Sequence, residues 1–208
     1  MPLVNYEKLI STPLNSDPYN HLVVEDFVFD DALQAAIADY PKVPGPGSHP
    51  PAGLDIKGNF KALVDELYSV RFQQIVEDKF KVDLTNRPKM YTVRGYCRAT
   101  DGKIHPDSTT KIITCLLYMN DKSWTTENSS GNLRLLRDDH NLENFAAEVA
   151  PKGGTLLLFK REDYSWHGHH PFEGKRRAIQ LNWVNNRWVV IREQGRHNLN
   201  SWLKRLVR

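Results

Sequence analysis

The chain has little cysteine. Its 208 residues include only Cys97 and Cys115, too few for a disulfide framework and in no CxxC or Cys-His spacing suited to zinc. A reducing, cytoplasmic setting is the expectation. Long apolar runs are also missing, since no stretch approaches the ~20 residues that span a bilayer. The opening MPLVNYEKLISTPLNSDPYN lacks the basic flank and apolar stretch of a secretory signal, so no membrane partner is expected. Nor does one sign of charge dominate: 28 basic residues face 25 acidic ones. Five of the basic residues lie between Arg192 and Arg208, and the body of the chain has no run of Lys and Arg interleaved with aromatics. Nucleic acid is therefore not an expected partner. Internal repeats and low-complexity tracts are absent as well.

What is present is the composition of a soluble globular protein, with 40% hydrophobic and 25% charged residues. The length suits one well-buried core and is short for two, so residues 1–208 read as a single domain. Within it, 1–90 read as helical support and loops, 91–190 as a β-rich core and 191–208 as a basic tail. Asp30 and Asp31 are placed to cap a helix through ALQAAIADY that Pro41 stops. The Pro/Gly-rich PKVPGPGSHPPAGLD follows as a loop. From Asn59 to about Phe80, apolar residues recur at helical spacing and predict one longer helix. In NLNSWLKRLVR, Leu199, Trp202, Leu203 and Leu206 share one face of a short helix, suited to packing on the domain or in a homodimer.

After Pro88 the texture changes. KMYTVRGYCRA, KIITCLLYMN, GNLRLL, GTLLLF and RRAIQLNWV are short, rich in β-branched, aromatic and aliphatic residues, and separated by turn formers. Short strands with no long helix between them point to an antiparallel sandwich or barrel, so the fold class is mainly β (α+β), with helices on an all-β core.

Two stretches carry chemistry. In His105-Pro106-Asp107, residues two apart on an extended segment project from one face, placing an imidazole and a carboxylate together. About sixty residues on, YSWHGHHPFEGKRRAIQLNWV supplies His167, His169 and His170, then Arg176 and Arg177 entering an apolar strand. Two imidazoles and one carboxylate on one face of a metal leave coordination positions open, the arrangement of non-haem iron(II) that must also bind an organic co-substrate and oxygen. A buried dicarboxylate needs its distal charge answered, and an arginine fork does that. Strand alternation puts Arg176 with Ala178, Gln180 and Asn182 on one face, and Arg177 with Ile179, Leu181 and Trp183 on the other.

The ordered set HPD, TCLLYMND, Trp124, SGNLRLLRD, GTLLLF, WHGHHP and RRAIQLNW, from about Tyr91 to Trp188, resembles the prolyl 4-hydroxylase-like branch of the 2-oxoglutarate and iron(II)-dependent dioxygenases. The resemblance covers roughly half the chain. It implies a double-stranded β-helix, or jelly roll, with supporting helices, and a hydroxylase that converts 2-oxoglutarate and O2 to succinate and CO2, with ascorbate in support. It further implies that His105, Asp107 and His167 bind Fe(2+), His167 being the histidine four residues before Pro171. Arg176 and Tyr118 take the distal carboxylate of 2-oxoglutarate, Tyr96 lines the pocket near the oxo acid, and Leu116 and Leu133 wall it. The carboxylate of Asp107 also argues against the related halogenases, which carry a small residue there.

A small-molecule or amino-acid-like substrate is expected, with a peptidyl, prolyl-type substrate as the alternative and a non-enzymatic cupin-like binding protein as the competing class. Trp124, Arg134, Asn182 and the loop around His49 are candidates for substrate contact.

Overall fold

Seen in this computed structural model, which describes residues 2–191 apart from 127, 128 and 189, the chain forms three stacked layers. The elements run α1 (Tyr6–Ser11), β1 (His21–Val24), α2 (Asp30–Ala38), a 3-10 turn (Pro51–Gly53), α3 (Gly58–Tyr68), α4 (Val70–Phe80), β2 (Lys89–Cys97), β3 (Lys111–Tyr118), β4 (Leu133–Leu136), β5 (Phe145–Val149), β6 (Leu156–Lys160), β7 (His167–Gly168) and β8 (Gly174–Val184). A five-stranded sheet has the order β1-β6-β3-β8-β2, and a three-stranded sheet the order β5-β4-β7. All their pairings are antiparallel.

The period-2 alternation of the strands divides the molecule. One face of the large sheet offers Ile113, Cys115, Leu117, Leu156, Leu158, Ile179, Leu181 and Trp183 to a core shared with Leu33, Phe60, Leu63, Leu67, Phe72 and Val76 from the helices. Phe72 stacks on Trp183 with ring centroids 6.1 Å apart. The opposite face gives Tyr118, Leu157, Phe159 and Ala178 to a smaller cluster with Leu133, Leu135 and Val149 of the small sheet. Between the two sheets the packing opens into a cavity.

Several sequence expectations need correction. The single helix over Asn59 to Phe80 is two helices, broken at Ser69, whose backbone is extended (φ −60°, ψ 153°) and whose hydroxyl accepts a hydrogen bond from Phe72 N as the cap of α4. The apolar spacing runs on across the break because both helices bury the same side. Asp30 and Asp31 lie in the first turn of α2; Phe29 is its N-cap and makes no side-chain cap bond. The first ninety residues are not only helix and loop, since β1 pairs with β6 and closes one side of the large sheet. The predicted helix over Leu199 to Leu206 lies outside the described residues. None of the described helices is long and apolar enough to cross a membrane.

Candidate active site

Backbone pairing brings the two halves of the histidine pattern together. His105 and His167 form an isolated antiparallel bridge, each amide donating to the other's carbonyl at 3.1 Å, and their rings lie 4.5 Å apart. Each ring is fixed in the same way: Nδ1 of His105 sits 2.7 Å from the Lys103 carbonyl, and Nδ1 of His167 2.9 Å from that of Ser165. A carbonyl only accepts, so each Nδ1 carries a proton, and Nε2 is the nitrogen each ring turns away from its backbone partner. Asp107 completes the group, and ligand atoms of all three residues lie within 4.8 Å of one another.

The surroundings set the charge of Asp107 and His167. Burial alone would raise the Asp107 carboxyl, but the charges of Lys111 and His167 and hydrogen bonds from Lys111 and Thr114 outweigh it and hold the pKa at about 2. Lys111 Nζ is 2.6 Å from one carboxylate oxygen and Thr114 Oγ1 2.5 Å from the other. Arg161 Nε donates to the Asp107 carbonyl at 3.1 Å. Burial pushes His167 down to about 4, opposed by Asp107. The neutral His167 imidazole and the ionised Asp107 carboxylate, with the His105 ring beside them, are the hard and borderline donors that iron(II) accepts.

A cavity of about 330 Å³ runs from this group between the sheets. Its lining includes Thr114 and Leu116 of β3, Arg176, Ala178, Gln180 and Asn182 of β8, Leu133 of β4, and Met90, Thr92 and Arg94 of β2. The faces of β8 fall as strand alternation predicts, because Ile179, Leu181 and Trp183 are in the helix-side core. Arg176 is 6% exposed, and its Nε donates to the Gly131 carbonyl at 2.9 Å. Its Nη2 and the Tyr118 hydroxyl, both buried, make no hydrogen bond of regular geometry, but the two groups lie together, the guanidinium carbon 5.5 Å from the Tyr118 ring centroid and near enough to the hydroxyl to interact with it. Burial raises the Tyr118 hydroxyl pKa, against the Arg176 charge, so it is a neutral donor. Buried polar atoms left unsatisfied cost stability unless something else completes them. These two donors fit a carboxylate, the group expected at the far end of 2-oxoglutarate.

Other expected residues fall elsewhere. Tyr96 is 41% exposed and does not line the cavity, because the register of β2 shifts between Arg94 and Tyr96 and turns that side chain out. Gly95 at the shift lies so close to Val43 that a Cβ there would meet Val43 Cβ at 2.8 Å. Trp124 packs on Phe172, and Arg134 is tied up by Glu143, Glu148 and His170. The His49 ring turns to the carbonyls of Gly45 and Pro46, while its neighbour Ser48 reaches the cavity. Asn182 does line the cavity, 3.0 Å from Thr114 Oγ1. Arg94 and Lys111 also line it without having been singled out, and so does His169, which the sequence offered beside His167 without a role. Alternation from Met90 through Thr92 pointed to Arg94; the place of His169 is set by the fold, its ring resting against Gly102, a residue at φ +85° where a Cβ would collide with it.

The family model described as the 2OG-Fe(II) oxygenase superfamily matches residues 90–185, the segment that contributes every one of these donors. That segment, just under half of the chain, is therefore of the 2OG-Fe(II) oxygenase superfamily. The chain is an enzyme of the iron(II)- and 2-oxoglutarate-dependent class, and the non-enzymatic cupin-like alternative falls. Solved structures with this fold include a prolyl-4-hydroxylase from Pseudomonas putida, at TM-score 0.54 and 16% identity over 86% of this chain and 90% of that one. HygX from Streptomyces hygroscopicus, solved with nickel and 2-oxoglutarate bound, aligns at TM-score 0.55 and 14% identity over 88% of each chain. A Trichoplax adhaerens prolyl hydroxylase, in complex with a peptide fragment of the hypoxia inducible factor oxygen degradation domain, aligns at 0.51 and 17%, over 79% of this chain and 83% of that one. No curated protein matches the chain in sequence.

Proposed function

We propose that this oxygenase hydroxylates a small, amino-acid-like molecule, with iron(II) held by His105, Asp107 and His167 and the distal carboxylate of 2-oxoglutarate held by Arg176 and Tyr118. One observation carries the reading: the cavity lined by His105, Asp107 and His167 is also lined by the buried Arg176, whose Nη2 makes no hydrogen bond of regular geometry and whose guanidinium lies against Tyr118. Iron(II) with 2-oxoglutarate and O2 supplies the oxidising power, releasing succinate and CO2 as oxygen is transferred to substrate carbon.

The chain's own residues set the geometry. Asp107 stays ionised between Lys111 and Thr114 and offers negative charge to the metal. The two imidazoles are held in one tautomer by the Lys103 and Ser165 carbonyls, so little reorganisation accompanies metal uptake. Leu116 and Leu133 supply apolar walls to the cavity and strengthen the pairing of Arg176 with a carboxylate by excluding water.

Residues 1–208 form one domain in this reading, a double-stranded β-helix whose two sheets enclose the cavity, working in the cytoplasm without a nucleic-acid or membrane partner. Ascorbate would serve only to keep the iron reduced. The cavity of about 330 Å³, open to the surface at the exposed His105, has to admit co-substrate and the reacting part of the substrate together, and a free small molecule suits it better than a folded protein segment.

The test is anaerobic titration of iron(II) with and without 2-oxoglutarate, reading the charge-transfer absorption of the chelate, followed by succinate release over a panel of amino acids and prolyl peptides. Absorption that appears in the wild type and is lost in His105→Ala and Asp107→Ala is expected. Turnover retained in both variants would overturn the metal assignment, and turnover with prolyl peptides alone would overturn the substrate class.

A further inference from the structure

The cavity contains one more cation than the reaction of iron with 2-oxoglutarate uses. Arg94, Lys111 and Arg176 line it together with a single carboxylate, Asp107. Lys111 is paired with that carboxylate, and in the reading above Arg176 receives the distal carboxylate of the co-substrate. Arg94 is left. It forms no ion pair with any described carboxylate, and its Nε is buried without a partner. Asp101, the acid whose charge it feels, is taken by the Arg98 backbone N–H at 2.9 Å and by the Arg98 guanidinium at 3.3 Å. Arg94 is half-buried, and a guanidinium N–H withdrawn from water without a partner is costly, so it marks a place where an anion completes the site.

The register of the sheet shows where that anion would lie. Strand β8 runs between β3 and β2, and three cross-strand rows lie on the side of the sheet that holds the cavity: Tyr118, Ala178 and Arg94; Leu116, Gln180 and Thr92; Thr114, Asn182 and Met90. With strands about 4.8 Å apart, the β3 side and the β2 side form two lanes about 10 Å from each other. Arg176 turns into the β3 lane, against Tyr118 and the Gly131 carbonyl. That lane runs through Leu116 to Thr114, which bonds Asp107. The β2 lane starts at Arg94 and passes Thr92 and the shared Gln180. Both lanes are therefore closed by an arginine at the same end, and only one of them is needed for 2-oxoglutarate.

We infer that Arg94 is a specificity-determining residue that binds a carboxylate of the primary substrate, which lies along the β2 lane beside the co-substrate. The substrate is then an organic acid or a free amino acid with its carboxylate intact, and not a neutral chain-internal peptide residue. Thr92 and Gln180 are the polar groups next in line for its remaining hydrogen bonds. The assignment of Arg176 to 2-oxoglutarate underlies this inference, so the experiment reads the two separately.

The experiment uses the full chain loaded with nickel(II) and 2-oxoglutarate, which blocks turnover. Small mono- and dicarboxylic acids and free amino acids, each beside its primary amide, are titrated and binding is followed by calorimetry and by thermal shift. At least one acid should bind about tenfold or more tightly than its amide, as expected for a charge-assisted pair in a confined site. In Arg94→Gln that preference should disappear while the affinity for 2-oxoglutarate stays within about twofold, and Arg94→Lys should restore part of it. If Arg94→Gln does not fold, Arg94→Lys takes its place and must lower the acid preference several-fold. A wild type without acid preference overturns the inference. So does an Arg94 variant that loses about tenfold in 2-oxoglutarate affinity, which would make Arg94 a second clamp on the co-substrate. A wild type that fails to bind 2-oxoglutarate would instead overturn the site assignment of the preceding section.

Discussion

At the scale of residues, the sharpest contrast is between neighbours. Arg176 is buried in the cavity, while Arg177 lies on the other face with its guanidinium carbon 4.6 Å from the Tyr40 ring centroid. Losing a charge-assisted contact to a buried carboxylate costs on the order of 2 to 5 kcal/mol. Arg176→Ala should therefore raise the 2-oxoglutarate requirement more than tenfold, and Arg177→Ala should leave it nearly unchanged; steady-state titration of the co-substrate checks both. The buried histidines set a pH dependence. His167 and His169 are both held down at about 4, chiefly by burial, against about 6.5 in an unfolded chain. Between those values the unfolded state binds more protons, so the metal-free protein should lose stability as pH falls from about 6.5 to about 4. Denaturant midpoints across that range measure it, and a flat profile would refute the burial of neutral imidazoles. The grouping of His105, Asp107 and His167 was legible in the sequence because HxD and a later His are chemically distinctive. His169 was not, because only the fold sets its ring against Gly102 and beside Cys97, 3.9 Å away.

Among elements, β2, β3, β4, β6 and β8 were readable from their β-branched and apolar runs. Strands β1, β5 and β7 were not. Each is held by its partners more than by its own propensity, β7 being only His167 and Gly168 paired with Arg134 and Leu135. Tyr96 was misplaced for a related reason: a residue count along β2 assumes regular alternation, and the register shift after Arg94 reverses it. The break between α3 and α4 offers a direct measurement. Ser69→Ala removes the hydroxyl that accepts from Phe72 N, so it should cost about 1 kcal/mol, read as a lower unfolding midpoint with activity unchanged. Retained full stability would show that the break is set by packing alone.

On the scale of the molecule, the catalytic segment does not stand alone. Ile179, Leu181 and Trp183 of β8 face the helices, and β1 completes the large sheet. A fragment spanning residues 90–185 should therefore remain unfolded by circular dichroism and amide exchange. In the intact chain, Phe72→Ala should cost about 3 to 5 kcal/mol through the cavity it opens against Trp183 and Phe27. The layered build also grades depth: His105 is exposed, Asp107 is 7% exposed, and Tyr118 is fully buried. A molecule bound at the outer end blocks the way to the inner one. Loading should accordingly be sequential, with the co-substrate entering before the molecule to be oxidised. An unreactive analogue of that molecule should then inhibit uncompetitively against 2-oxoglutarate, and a competitive pattern would mean that the inner end has a second way in.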